Sequence, residues 1–353
     1  MRPWSFVYVL FFLLAGSSPL LAQQPSAPEL YPVERDGKHG YIDCSGRIAI
    51  PLDYDGADRF GEGLAPVKRG GKYGFVDTGG KLVIAAQFSE VAGFSEGLAA
   101  VRDAEKWGYA DRSGKLAIEA QFDSAGPFYE GLAVVERAGK AGYLDKDGKL
   151  VTAIEYDLAA HFSNGMGKIA VDKKYGYVDA SGHIVIPPQF FFADFFSEEL
   201  AEVIENHELH YIDKTGKTVL NFGAFDASNH FVVLGLVLTD PMFSEGLAAI
   251  PQGDKWGFVD HSGKFVIKPQ YLTIGHFSDG LAAVCVIKKK GQESVGVWGY
   301  VDKTGKMVIP PQFKSAGWFK GCLADVETED KNAYVDRSGK VVWFAPKPPE
   351  SKH

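Results

Sequence analysis

The sequence predicts an all-β chain built as a tandem array of about nine three-stranded antiparallel units. Three observations carry that expectation: a Gly-aromatic-x-Asp signature that recurs mostly every 34 residues, a glycine fixed three residues after each aspartate, and almost no helical periodicity. Units this short cannot bury a core of their own, so neighbours must stack into one continuous body. An open β-solenoid or superhelical stack is the favoured arrangement, with a propeller-like closed ring as the alternative. Propeller blades normally carry four strands and come in about four to eight copies.

At the N-terminus, Arg2 is followed by the uncharged run Phe6 to Leu14, and Leu20-Leu21-Ala22 then gives way to the polar Gln23-Gln24-Pro25. This pattern reads as a signal peptide over residues 1–22 with a short linker over 23–29. The apolar run is shorter than the roughly 20 residues a bilayer-spanning helix needs. No membrane span is therefore expected after signal removal, and the expected location is secreted or periplasmic. Loss of Arg2 moves the formal net charge from −8 to −9. An acidic chain with dispersed lysines lacks the basic stripe that phosphate backbones demand, so nucleic acid is not an expected partner. With 13% aromatic residues the chain is also too rich in rings for extensive disorder.

The array itself is expected over residues 30–345. Its nine aspartates are Asp43, Asp77, Asp111, Asp145, Asp179, Asp213, Asp260, Asp302 and Asp336. Aspartate at the first position and glycine at the fourth suit a type I turn, as in Asp77-Thr78-Gly79-Gly80 between Tyr73-Gly74-Phe75-Val76 and Lys81-Leu82-Val83-Ile84. Leu64-Ala65-Pro66-Val67-Lys68 supplies a third strand, and a connection of about a dozen residues completes the unit. Seventeen residues after most aspartates stands Phe-x-Glu-Gly-Leu-Ala, from Phe60 to Phe319. Leu30 to Arg35 resembles the last strand of a missing preceding unit. Residues 346–353, polar and proline-rich, read as a disordered tail.

The Trp-Gly of Lys106-Trp107-Gly108, Lys255-Trp256-Gly257 and Trp298-Gly299, with Gly-Lys-x-Val-Ile-x-Pro-Gln-Phe and Phe-Ser-Glu-Gly-Leu-Ala-x-Val, resembles the WG-repeat proteins of bacteria. The resemblance covers nearly all of the chain after the signal. It implies an all-β repeat domain found in many exported proteins, with no general catalytic activity attached. The tryptophan is replaced by His39, Tyr73, Ala141, Tyr175, Leu209 or Asn332 in other copies, so a role for the ring itself is in doubt there.

Departures from the period mark where function could be grafted. The sixth interval carries extra residues within 224–242, whose apolar run from Phe231 to Leu238 reads as an added hairpin or strand over the core, with Phe231, Leu234 and Leu236 as candidate partner contacts in the alternative. The seventh carries extra residues near 287–295, with Lys288-Lys289-Lys290 on what reads as a longer hairpin tip. Trp107, Trp256 and Trp298 read chiefly as core aromatics, and as candidates for stacking against sugars in the alternative. The nine aspartates read as turn residues and not as calcium ligands, because calcium wants several acidic oxygens close together. The repeated acids Glu62, Glu96, Glu130, Glu198, Glu245 and Asp279 read as loop caps, since a glycosidase needs one carboxylate pair at a defined separation.

His207 and His210 would point to opposite faces of a strand, and Gly216-Lys217-Thr218 is the repeat's own turn. No catalytic residue, metal or cofactor is expected. Cys44, Cys285 and Cys322 are too few and too scattered for a disulfide framework, and they stand at different places in the repeat. The reading is an exported, non-catalytic scaffold that binds another envelope protein. Binding to carbohydrate or peptidoglycan, a cell-wall polymer, is the alternative, and a hydrolase is disfavoured.

Overall fold

The computed structural model describes residues 29–224, 242–290, 293–329 and 331–345. Among these residues every regular element is a strand, and no helix is long and apolar enough to cross a membrane. Nine small antiparallel sheets follow one another along the chain as nine blades: residues 31–54, 56–88, 90–122, 124–145, 158–190, 192–224, 248–271, 273–313 and 315–344.

Blade 1 comprises β1 (Tyr31–Arg35), β2 (Lys38–Ile42) and β3 (Ile48–Tyr54). Blade 2 comprises β4 (Gly56–Ala57), β5 (Leu64–Arg69), β6 (Lys72–Asp77) and β7 (Leu82–Phe88), in that order across the sheet. β4 corresponds to part of what the sequence presents as a connection. Only two of its residues pair with β5, Gly56 with Lys68 and Ala57 with Val67, too little to show as a strand pattern. The sheets are thus offset from the sequence repeat, and each Asp-centred unit contributes its last strand to the following blade.

The repeated glycine of the Gly-aromatic signature is explained by the last strand of each blade. Opposite Gly108 the strand Leu116–Phe122 bulges, so that Trp107 faces Phe122 and Tyr109 faces Ile118. A Cβ on Gly108 would lie 2.5 Å from the Ile118 carbonyl oxygen. Only glycine admits that approach. The copies that lack the glycine are built differently. Ala333 and Tyr334 pair with Phe344 and Trp343 without an intervening bulge, and at His210 the irregularity is shorter.

The array closes into a nine-bladed β-propeller rather than an open stack. Each of nine buried apolar clusters is shared between two neighbouring blades, and the ninth joins Tyr31, Val33 and Ile42 of blade 1 to Leu323 and Trp343 of blade 9. The same inter-blade contact recurs around the ring. The aromatic after the glycine meets the phenylalanine of the next blade, as in Tyr41–Phe60, Tyr109–Phe128 and Tyr300–Phe319, with centroids 4.8–4.9 Å apart. Blade 1 has no such phenylalanine among the described residues. Tyr31 takes its place, 5.6 Å from Tyr334 of blade 9, at a position where the other blades carry alanine or glycine.

Meander geometry places the first and third turns of each blade on one side of the disc and the second turn on the other. The Phe-x-Glu-Gly hairpins and the Asp-x-x-Gly turns therefore share a side.

Candidate functional site

The repeated polar residues are consumed by the fold. Asp111 accepts hydrogen bonds at Oδ1 from the Ser113 amide (2.8 Å), the Ser113 hydroxyl (2.6 Å) and the Lys115 amide (3.2 Å). The other eight turn aspartates accept the amides two and four residues on in the same way. At Asp43 the Ser45 hydroxyl heads the donors that hold the carboxyl at about 2. Oxygens facing their own loop in this way are poorly placed to gather around a shared calcium ion.

The second acidic column ties each blade to the next. Glu62 sits in the left-handed conformation of a two-residue hairpin, φ 51°, and accepts from the Glu96 amide (2.6 Å) and Gly97 amide (3.0 Å) of blade 3. Arg112 of blade 3 lies 3.6 Å away. Glu96 repeats this with the Gly131 amide (2.9 Å) and Lys146 (3.0 Å) of blade 4, and Glu245 with the Gly280 amide (3.0 Å) and Lys303 (2.9 Å) of blade 8. A parallel set occupies the opposite side. Asp157, for example, joins Lys140 of blade 4 (2.6 Å) to the Asp172 amide of blade 5 (2.8 Å).

At the seam between blades 9 and 1 the pattern changes. Blade 9 has Gly321-Cys322 where blade 2 has Glu62-Gly63, and blade 1 has Cys44 where blade 3 has Arg112. Cys44 and Cys322 form a disulfide with Cα atoms 5.8 Å apart. Their different places in the repeat, which count against pairing in a linear array, are the two columns that face each other between adjacent blades. Glu29, Cys44 and Cys322 gather their donor atoms within 4.8 Å, but the two sulfurs are bonded to each other. Tyr31 locks the same seam: its hydroxyl donates to the Lys320 carbonyl (2.5 Å) and accepts from the Cys322 amide (3.0 Å), and burial pushes its pKa up to about 12.

The three sequence-selected tryptophans do not make an exposed stacking surface. Trp256 and Trp298 are only 9% and 7% exposed, and Trp107 is half-buried. Each faces the aromatic of the neighbouring strand, Tyr271, Phe313 and Phe122, and so belongs to the core. Phe231, Leu234 and Leu236 lie outside the described residues, as do the signal segment and the tail. The extra residues after Ile287 extend a hairpin whose strands run Leu281–Lys290 and Glu293–Asp302. His207 lies at the tip of a hairpin, and His210 Nε2 lies 3.5 Å from Glu208.

What remains available is a variable column, the residue just before the repeated phenylalanine: Arg59, Gly93, Pro127, His161, Phe195, Met242, His276 and Trp318. His161 stacks on Phe195, with centroids 4.1 Å apart, and Tyr129 lies 4.5 Å from His161. The Lys168 ammonium sits over Phe195 at 4.3 Å. On blades 8 and 9, His276 meets Trp318 at 5.1 Å, and Trp318 is 56% exposed. Arg59 of blade 2 reaches Asp325 of blade 9 at 3.6 Å, past blade 1. Two blades separated by a third meet only near the ring's narrow centre, so this column lies toward the axis. Sequence reasoning passed over it because it looked for constancy. The signal was variation between two invariant anchors.

Burial, reinforced at His161 by Lys168, holds both imidazoles below their ordinary pKa. A depressed folded-state value contributes stability above the unfolded pKa of about 6.5 and loses it as pH falls through the folded value. The turn aspartates lose theirs only in the far more acidic range. The melting temperature should therefore hold from pH 8 to 7 and decline by pH 5, with His161→Gln flattening part of that decline. Thermal melts followed by circular dichroism check it.

The sequence profile of the WG containing repeat matches residues 40–73, 73–107, 107–140, 142–175, 175–206, 256–290 and 298–331, most of the chain. The chain belongs to the WG-repeat family. No curated protein matches this WG-repeat chain. Among solved structures, a eukaryotic initiation factor aligns over 90% of this chain and 96% of its own, at 11% identity and a TM-score of 0.58, a likeness of fold alone. The dihydro-heme d1 dehydrogenase NirN aligns over 93% and 76%, at 15% identity, with a TM-score of 0.44. PorZ, a surface component of the type-IX secretion system of Porphyromonas gingivalis, aligns over 92% and 53%, at 10% identity and 0.31.

Proposed function

We propose that this WG-repeat propeller is an exported, non-catalytic scaffold that holds a protein partner at the cell envelope through its axial column of variable side chains. The observation that carries this reading is the division of labour within the repeat. The recurring acids and aromatics are engaged by neighbouring blades, while one column between them varies and leaves Trp318 open to solvent. Aromatic side chains with one open face suit protein contact. The apolar N-terminal run supports export, as does a disulfide, which persists in oxidising compartments.

A photo-cross-linking residue at position 318 should capture the same protein reproducibly from intact cells. The same probe at the solvent-facing Ile184 of blade 5 should not. Identical captures from both positions would refute the assignment. Sedimentation with purified cell wall tests the polymer alternative, which the open Trp318 ring favours: co-sedimentation lost in Trp318→Ala would transfer the assignment to it.

A further inference from the structure

Among the described residues, blades 1 and 7 lack a strand that the seven other blades possess. In those seven sheets a short strand precedes the Phe-x-Glu-Gly hairpin and pairs along the free edge of the next strand, as β4 does along β5. The residue entering that strand donates its amide to the edge carbonyl in each: Asp55 to Lys68 (2.9 Å), Ser89 to Arg102 (3.1 Å) and Lys314 to Glu327 (2.7 Å) are examples. In blade 1 the corresponding edge is that of β1, at Val33 and Glu34. Among the described residues no strand pairs with it. A cavity of about 290 Å³ borders this edge between blades 9 and 1, lined by Val33, Glu34, Asp325, Glu327 and Trp343 among others.

The geometry points to this slot as the docking site for an extended segment of a partner protein, which adds antiparallel to β1 with a lysine or arginine opposite Glu34 and a small apolar residue next to it. This deepens the scaffold reading and rests on it. An open strand edge offers backbone hydrogen bonds for affinity, and side-chain pockets give the selectivity.

The charge requirement follows from the walls. Glu34 is exposed without an ion pair among the described residues, whereas Asp325 lies 3.6 Å from Arg59 and Glu327 3.9 Å from Lys314, so Glu34 is the wall carboxylate left uncompensated. The pairing requirement follows from blade 3, where Glu90 stands opposite Arg102 in the same register and forms an ion pair with it. The neighbouring position is Ala57, Val91 or Ala316 in other blades. Trp343 adds an independent sign. Its position is isoleucine in most blades, and its buried indole N–H meets no acceptor among the described residues.

The chain's own ends fit the slot poorly by sequence. Thirty-four residues before β4 stand Ala22 and Gln23, which cleavage after Ala22 would separate. After blade 9 the same count puts Pro348 where Ser89 donates its amide, and proline has no amide hydrogen to give.

The probe is a fluorescent hexapeptide with the sequence of residues 313–318 carrying Ser315→Lys, since Ser315 and Ala316 form the slot strand of blade 9. With the purified protein, saturable binding is expected by anisotropy, at least tenfold tighter than for the Ser315→Glu peptide. Methylation of the residue-314 amide nitrogen should abolish it. Glu34→Lys protein, altered at an exposed side chain and checked for an unchanged melting temperature, should reverse the preference between the two peptides. Equal binding of both peptides, or none, overturns the proposal. So does binding that appears only after residues 346–353 are removed, because the tail would then be the occupant. If the peptides fail while the cross-link from position 318 persists, the slot assignment falls and the scaffold reading stands.

Discussion

Replacing both seam cysteines, Cys44→Ser with Cys322→Ser, should lower the unfolding free energy by roughly 2–5 kcal/mol, measured by denaturant titration. The disulfide spans 278 residues, so it restricts nearly the whole unfolded array. It also joins the two blades that the chain itself leaves unjoined. At the other interfaces the backbone runs directly from one blade to the next, and exposed ion pairs such as Arg112–Glu62 add little, each typically under about 1 kcal/mol. At the seam the same two columns carry a covalent bond instead. Reductant should reproduce the loss in the native protein and leave the double variant unaffected. An equal effect of reductant on both would sink this account. Cys285 is buried, with burial raising its thiol pKa to about 11, and should resist alkylation until the protein unfolds.

The second large effect is expected at Tyr31. Its ring fills the place of the missing phenylalanine against Tyr334, and its hydroxyl bridges the Lys320 carbonyl and the Cys322 amide. Tyr31→Ala should cost about 3–5 kcal/mol, as for other buried aromatics truncated to alanine. Tyr31→Phe keeps the ring and should cost only about 1 kcal/mol, the net worth of a hydrogen bond. Denaturation curves of the two variants separate packing from hydrogen bonding. Equal losses in both would mean that the hydroxyl, not the ring, secures the seam.

Much of this architecture was legible in the sequence, because each unit repeats its local physics. The aspartate turns and the short strands follow from residue type and spacing, as Asp77 to Gly80 and Tyr73 to Val76 show. The fourth strand was not legible: Gly56–Ala57 pairs two residues, and two residues carry no alternation. Closure was not legible either, since it depends on the angle between packed blades, which no single repeat encodes. The cysteine pair was hidden by the same gap, as Cys44 and Cys322 are neighbours only once the ring closes. Trp256 and Trp298 read from the sequence chiefly as core aromatics, with sugar stacking as the lesser alternative. A large ring in a strand signals packing as readily as recognition, and the facing Tyr271 and Phe313 decide for packing. The axial pair of His161 and Phe195 needed three dimensions, because 34 residues separate its members along the chain.

The two sets of inter-blade carboxylates have a wider consequence. Glu62 and its counterparts fasten one side of the disc, and Asp157 and its counterparts the other, through different partners. The disc therefore has an obverse and a reverse that cannot be exchanged by turning it over. Anything that grips one rim meets a chemical landscape absent from the other, so a molecule laid against a flat support would present a single, fixed aspect to its surroundings.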